Sequence, residues 1–267
     1  MNVRECHLIV TLALDLPGEL AQYHLAKLLV SSLLRTRFSG EILAIHTSPN
    51  PLFMVARAGV REVRVSLPRD VRRGFDFITF AQSHKHEIGH HVDVSRYEKI
   101  MFMDCDSVAL RNVDHLFDGG WDLAVVHDAG SRIQGMYWGG YLTDEERVTL
   151  TCPGVNSGTF VVRADRFHEL LGRWREIELV PVAGCLREQS AFNRLVLDWK
   201  GPTHVIDSRE VALPFVTNAH YRDCIAAAFV HAAGGGTPEE RARFLYGLYA
   251  STYLCDSQMF LFNVMEM

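Results

Sequence analysis

Residues 97–118 read Y-E-K-I-M-F-M-D-C-D-S-V-A-L-R-N-V-D-H-L-F-D. Ile100 to Met103 is an unbroken apolar run, long enough for one strand buried on both faces. It stops at Asp104-Cys105-Asp106. Two carboxylates one residue apart, at the C-terminal end of a buried strand, lie where open α/β sheets bind their ligands. Alternate residues of a strand point the same way, so an extended backbone through Asp106 would aim both acids at one spot. Two unpaired anions side by side repel each other and are costly to desolvate. A divalent cation removes that cost, and hard oxygen ligands suit Mn2+ or Mg2+. Asp-x-Asp triplets are also common in solvated turns. This one differs by the apolar strand before it and by Leu110, Val113, Leu116 and Phe117 after it, which read as a helical turn packing back on the core.

Outward from that strand, the pattern is α/β. His7 to Leu14 reads as a central first strand, and Glu19 to about Arg37 has helical apolar spacing. Glu41 to Thr47 is a second strand, and Pro49, Asn50 and Pro51 precede an expected short helix through Ala58. Glu62 to Ser66 alternates charge and valine, as an edge strand does. Strand, helix, strand, helix, strand is the order of a parallel, right-handed sheet. Further on, strands are expected over 121–127, 155–162, 205–206 and 226–230. Helices are expected over 75–95, from a cap at Asp165 to about Glu178, from Glu188 to about Leu197, and from Pro238 onward. Residues 129–149 are loop-rich.

The 267 residues give one large domain or two small ones, and 48% hydrophobic with 22% charged residues is an ordinary globular balance. A net charge of −5 and the absence of any Lys/Arg run argue against a general nucleic-acid binder, and Arg69 to Arg73 is only a small local cluster. No apolar stretch approaches the roughly 20 residues of a membrane span, and without a basic region followed by a long apolar region and cleavage site no secretory signal is expected. Six cysteines, Cys6, Cys105, Cys152, Cys185, Cys224 and Cys255, are scattered without a C-x-x-C pair. That points to reduced thiols in a cytoplasmic protein.

His84 to His91 contains a literal H-E-x-x-H, His86-Glu87-Ile88-Gly89-His90, the spacing that puts two imidazoles on one α-helical face to bind zinc. A metzincin would continue with Gly and His where this chain has Asp93 and Arg96. A thermolysin-like enzyme would take a helical glutamate downstream, where this chain has acids at a strand end. A zinc hydrolase is therefore the weaker chemistry, and a solvated or nucleotide-facing helix is the plainer reading.

The order of motifs resembles the GT-A-fold glycosyltransferases, and most closely family 8, the glycogenin and bacterial galactosyltransferase group. The matching pieces are Y-E-K-I-M-F-M-D-C-D-S-V…V-D-H-L-F (97–117), W-D-L-A-V-V-H-D (121–128), V-N-S-G-T-F-V-V (155–162), E-Q-S-A-F-N (188–193) and H-A-A-G-G-G-T-P (231–238). Taken singly, His231 reads as a core histidine, Asn156-Ser157-Gly158 as a turn, Asp128 as a strand-end cap and Gln189 as a helix surface residue. Their joint order carries the resemblance.

The resemblance implies a single α/β domain over 1–267, with a mostly parallel GT-A (Rossmann-like) central sheet flanked by helices. A nucleotide-binding half would span 1–106, a sugar and acceptor half 107–238, and a helical tail 239–267. It implies Mn2+ or Mg2+ on Asp104, Asp106 and His231, holding the diphosphate of a nucleotide sugar such as a UDP-hexose. Thr11, Leu12 and Ala13 match the base and ribose region, and Cys105 lies between the two acids. Asn156 and Ser157 match the strand beside the sugar, Asp128 an acid on the sugar hydroxyls, and Glu188 and Gln189 a pair near the anomeric carbon. Lys85 corresponds loosely to a basic residue near the donor, and Gly234 belongs to the loop after the third ligand. Residues 130–140 and 234–236 are expected to close over donor and acceptor. The implied reaction is hexosyl transfer with retention, to a sugar, protein, lipid or small natural product. Two positions depart from the pattern. Thr237 replaces a lysine on the diphosphate, for which Arg241 or Arg243 could substitute, and Glu188 replaces an aspartate. Thr237 is also the best support for a catalytically inactive nucleotide-sugar-binding domain. A sugar-phosphate nucleotidyltransferase would need a basic glycine-rich loop after the first strand, and 14–18 has none. The aromatic residues of the last helix, Phe244, Tyr246, Tyr249 and Tyr253, suit the core or a homo-oligomer contact.

Overall fold

The computed structural model of the chain describes residues 6–67, 80–81, 84–128, 131–135, 138–180 and 187–253. The first half begins with β1 (Cys6–Ala13), α1 (Ala21–Arg35), β2 (Glu41–His46) and β3 (Val60–Arg64). α1 starts two residues later than its pattern predicts, because Asp15 reaches forward and accepts the backbone N–H groups of Gln22 (2.9 Å) and Tyr23 (2.7 Å). That carboxylate satisfies donors the first turn cannot satisfy itself. Residues 51–58 do not form the expected helix. The Pro51 carbonyl accepts the Tyr23 hydroxyl at 2.6 Å, and the Leu52 N–H goes to Glu62 Oε2 at 2.7 Å, so long-range partners hold this segment as a series of bends.

The chain continues with β4 (Tyr97–Met103), β5 (Ser107–Ala109), β6 (Leu123–Asp128), α2 (Asp144–Thr149) and β7 (Gly154–Arg163). Then come α3 (Phe167–Glu178), α4 (Arg187–Leu197), β8 (Thr203–Ile206), β9 (Val211–Ala212), α5 (Tyr221–Cys224), β10 (Phe229–His231) and α6 (Pro238–Tyr253). α2 lies in the stretch read as loop. Thr143 and Glu146 form a capping box on it, a signal the sequence carries in T-D-E-E. Asp165 does not cap α3. It pairs instead with Arg163, whose Nε is 3.0 Å away, and the helix begins after a short 3-10 turn. Residues 68–79, which hold the start of the helix expected over 75–95 and the Arg69–Arg73 cluster, lie outside the described residues, as do Gly130 and 254–267.

Among the described residues the main sheet has seven strands in the order β3-β2-β1-β4-β7-β6-β8. β4 pairs in parallel with β1, β1 with β2, β2 with β3 and β6 with β8; β7 runs antiparallel to both β4 and β6. The sheet is therefore mostly parallel, β4 is its middle strand, and β3 is an edge, as its charge alternation predicts. Strand alternation divides the core into two layers. Ile9, Met101 and Met103 face α1 and the second, three-stranded sheet β5-β10-β9. Leu8, Val10, Ile100 and Phe102 face α3 and α4, where Trp174, Phe160 and Phe192 pack edge to face or tilted. Burying each of these large side chains contributes about 1.5–3 kcal/mol. The small sheet was invisible in the sequence except for the apolar run ending at His231. The α6 aromatics pack internally: Phe244 is buried, Arg35 stacks on Tyr253, and the Tyr253 hydroxyl donates to the carbonyls of Ala109 and Leu110. No described helix is long and apolar enough to cross a membrane. Cys105, Cys152 and Cys224 are free thiols.

Candidate functional site

β1 leads away to β2 on one side of the sheet and β4 begins the other side, so the two strands make a switch point. A cavity of about 540 Å3 opens at their C-terminal ends, lined among others by Leu12, Leu14, Asp104, Asp106, Ser157, Gln189, His231 and Arg241. The two aspartates converge, though not by strand alternation. β4 ends at Met103, and residues 104–106 are a bend between β4 and β5. Asp104 N–H donates to the Gly158 carbonyl at 2.7 Å, and Ala232 N–H donates to the Asp106 carbonyl at 2.9 Å, so β7 and β10 hold the two ends of the bend. Cys105 points inward between them, buried, with its thiol on Gln22 Oε1 at 2.8 Å. Burial and the two flanking acids raise its pKa well above the ordinary thiol value.

His231 ends β10 and inserts its ring between the acids. Its Nε2 lies 3.2 Å from Asp106 Oδ1 and 3.7 Å from Asp104 Oδ2. One ligand atom from each of Asp104, Asp106 and His231 falls within a 4.8 Å spread, and among the described residues this is the one cluster of His, Cys, Asp and Glu able to hold a metal ion. The donor set fits a hard divalent cation: two carboxylates and an imidazole. The space beside it also fits. A Cβ built on Gly158 would fall 2.3 Å from both Asp104 Oδ2 and His231 Cε1, so β7 can approach the two ligands only with glycine there.

Two cations already face these acids. Lys85 is buried, with Nζ 3.1 Å from Asp104 Oδ1 and 3.2 Å from Glu188 Oε1. Burial disfavours its charge, but the two carboxylates outweigh that and push its pKa up. Arg241 extends from the first turn of α6 and places a guanidinium nitrogen 2.7 Å from Asp106 Oδ2. Burial works against charge on Asp106, but the His231 ring and Arg241 overcome it and hold the carboxyl at about 2. Glu188 is buried beneath Lys85; burial raises its pKa, and Lys85 opposes the rise.

The far wall is β7, and a bulge shapes it. Val125 pairs with Phe160 and Val126 with Asn156, so Ser157, Gly158 and Thr159 leave the β6 register and move toward β4. α4 fixes that excursion. Gln189 Oε1 accepts from Ser157 N (3.2 Å) and Ser157 Oγ (2.9 Å), and its amide donates to the Val155 carbonyl. Asn193, one turn on, accepts from Val155 N at 2.7 Å and donates to Val155 O at 2.9 Å. Asn156 Oδ1 accepts from Gly158 N at 2.8 Å. Asn193, Gly158, Gln22 and Leu14 were not singled out from sequence. Asn193 and Gly158 stand inside the quoted motifs, while Gln22 and Leu14 carried no signal beyond helical and strand spacing.

Of the residues expected at the site, Leu12, Lys85, Asp104, Cys105, Asp106, Asn156, Ser157, Glu188, Gln189 and His231 line the cavity. Thr11 and Ala13 are buried in the sheet on either side of Leu12. Asp128 ends β6 opposite Gly154, outside the cavity wall. Gly234 faces Phe215 rather than the cavity. Thr237 caps α6: Thr237 N donates to Glu240 Oε2 at 2.7 Å, and Glu240 N to Thr237 Oγ1 at 3.3 Å. Arg243 lies on another surface with Val216 and Tyr221, so of the two arginines it is Arg241 that reaches the acids.

The H-E-x-x-H segment does not make a metal site. Residues 84–91 form a 3-10 helix, in which positions four apart diverge. His86 is buried, edge-on to Trp174 with Nε2 3.3 Å from Glu178. His90 is exposed, with Nε2 2.8 Å from Glu87. Burial lowers the His86 pKa to about 4, with Lys85 adding to the effect. An unfolded histidine titrates near 6.5. Above that pH the ring is neutral in both states. As pH falls from 6.5 toward 4 the unfolded chain takes up the proton first, so this residue costs stability across that window. Urea unfolding of His86→Ala is expected to show a shallower loss of stability between pH 6.5 and 4 than the parent chain. An unchanged slope would mean the ring is protonated in the fold.

No family model matches the chain, and no curated protein sequence matches it. Among solved structures, the crystal structure of an active-site mutant of LgtC matches with a TM-score of 0.59 and 15% sequence identity, over 91% of this chain and 95% of that one. At that identity the likeness establishes the fold, the single-domain GT-A architecture with its mostly parallel sheet.

Proposed function

We propose that the chain is a metal-dependent glycosyltransferase that moves a hexose from a nucleotide-diphosphate sugar, UDP-glucose or UDP-galactose in the first instance, to a hydroxyl-bearing acceptor. The observation that carries the reading is the Asp104, Asp106 and His231 cluster at the C-terminal ends of β1 and β4, inside a cavity large enough for a nucleotide sugar. The fold shared with LgtC supports it, beside the family resemblance of the motifs.

The chemical difficulty in such a transfer is the negative charge that builds on the departing diphosphate. Asp104, Asp106 and His231 would hold a divalent ion, Mn2+ or Mg2+, which would supply Lewis-acid stabilisation of that charge. The chain's own cations extend it. Lys85 pairs with Asp104 and Arg241 with Asp106, so a diphosphate seated over the cluster would meet a cationic side chain beside each acid. Leu12 and Leu14, at the end of β1, offer an apolar wall for the base. Ser157, Glu188 and Gln189 face the cavity from the other side, where the sugar would lie. Glu188 is the carboxyl group closest to hand for a positively charged, sugar-like transition state; burial raises its pKa, and Lys85, 3.2 Å away, opposes that rise. The Gln189 carbonyl already accepts two bonds from Ser157, which suits it to fix the β7 wall. Retention of configuration is carried over from the family resemblance.

The test is a calorimetric titration with UDP, UDP-glucose and UDP-galactose, with and without Mn2+, followed by assay of released UDP. Mn2+-dependent binding and slow hydrolysis of one sugar nucleotide are expected. Tight binding that ignores Mn2+ and EDTA would overturn the metal assignment, and binding without any turnover would favour a domain that only holds its ligand. His86→Ala is expected to leave turnover within a few-fold; its collapse would revive the zinc reading.

A further inference from the structure

Both oxygens of Asp106 are already taken. His231 Nε2 is 3.2 Å from Oδ1, and the Arg241 guanidinium is 2.7 Å from Oδ2. A cation entering this cluster must therefore share or displace an existing positive charge, and two like charges on one carboxylate repel. His231 can remain, because a neutral imidazole is itself a metal ligand. Arg241 cannot ligate, and a divalent ion on the same carboxylate repels it. It has room to move. Its side chain is 30% exposed, against 10% for Asp106 and 3% for His231. Its second tie is one bond of 3.3 Å from Nε to the Gly235 carbonyl. Gly235 and Gly236 both sit in the left-handed region, φ +73° and +74°, which lets the chain turn sharply between β10 and α6. The helix itself is fixed, by its capping box and by buried Phe244, Leu245 and Leu248. The freedom thus lies in the arginine side chain rather than in the backbone that carries it.

We infer that Arg241 is an exchangeable counter-ion. Without ligand it occupies Asp106 in place of the metal, and when metal and nucleoside diphosphate enter together it transfers from the carboxylate to the phosphate oxygens. This rests on the reading of the cavity as a metal–diphosphate site. The planar guanidinium can leave one oxyanion pair for another of the same kind without losing its charge-assisted bonds. The consequence is coupling. Metal alone displaces Arg241 with nothing to receive it, whereas metal with a diphosphate displaces it onto a new partner. Each ligand thus raises the affinity of the other by the same factor.

The experiment measures Mn2+ affinity by electron paramagnetic resonance of the free ion, with and without saturating UDP, in the parent chain, Arg241→Gln and Arg241→Lys. Thermal melts confirm that each variant folds. In the parent, UDP is expected to tighten Mn2+ binding by on the order of a hundredfold. In Arg241→Gln, Mn2+ alone should bind roughly tenfold tighter than in the parent, and the enhancement by UDP should shrink to about tenfold or less. Arg241→Lys should fall between, because it keeps the charge and loses the fork. Equal or weaker binding of Mn2+ alone to Arg241→Gln, with the parent binding Mn2+ normally, overturns the exchange and leaves the metal site standing. Failure of the parent to bind Mn2+ with UDP overturns the site reading, and the exchange with it.

Discussion

Asp106→Asn is expected to abolish Mn2+-dependent binding of UDP, with no saturation at concentrations about a hundred times the parent's Kd. The substitution is nearly isosteric, so the bend between β4 and β5 keeps its shape. It removes the one carboxylate that faces both His231 and Arg241. What remains around the site is Asp104, which Lys85 already neutralises, so the pull on a divalent ion drops sharply. The fold should survive. Asp106 contributes through partners at the end of the sheet rather than through packing, and Arg241 is exposed enough to be solvated once it loses its partner, so a stability loss of about 1–3 kcal/mol, that of losing charge-assisted hydrogen bonds, is expected. Calorimetry with UDP and Mn2+, beside urea unfolding, reads both quantities. Undiminished Mn2+-dependent affinity in a folded variant would remove Asp106 from the site.

Gly158→Ala carries the second large effect, and it touches no charge. The added methyl would sit 2.3 Å from Asp104 Oδ2, 2.3 Å from His231 Cε1 and 3.0 Å from Asn156 Oδ1. Two ligands must then part or the β7 bulge must withdraw. The bulge cannot withdraw cheaply, because Gln189 and Asn193 bind it and Asp104 N–H is tied to the Gly158 carbonyl. Overpacking of this kind costs about 1–3 kcal/mol. Mn2+ affinity in the presence of UDP should fall by on the order of a hundredfold. Gly172→Ala is the control: it lies on α3, nothing approaches its Cβ within 4 Å, and the better helix former should stabilise by up to about 1 kcal/mol. Normal Mn2+ binding by Gly158→Ala would mean that Asp104 and His231 do not ligate together.

The sequence marked the centre of this fold well because its signal there is local. A buried apolar run that ends in two acids is legible in ten residues, and it is the middle strand with its cluster. His231 is different. It stands in another part of the chain and reaches Asp106 only because β10 pairs with β5, strands of three residues each that carry no period to read. It was legible through resemblance alone. The three-residue excursion of β7 was illegible for a similar reason: a register shift belongs to two strands at once. Arg241 was one of two arginines that could face the site, and only the placement of α6 over α1 distinguishes it from Arg243. The H-E-x-x-H spacing misled because it presumes an α-helix, and packing of residues 84–91 against α3 draws them into a tighter one.

The strand order has a consequence for how the protein acquires its site. Cys6 pairs with Tyr97, and Ser107 with His231, so the chain must close two long loops before the ligands can meet. Hairpin-like and helix–helix pieces, such as α3 with α4, can form from neighbours in sequence. The binding cavity belongs to the non-local and therefore slow part of folding. An unfinished chain can have its helices and the β1–β2–β3 edge and still lack any place for a metal. Ligand then binds the finished molecule only, so Mn2+ with UDP should act chiefly by retarding unfolding, leaving the rate of folding almost untouched.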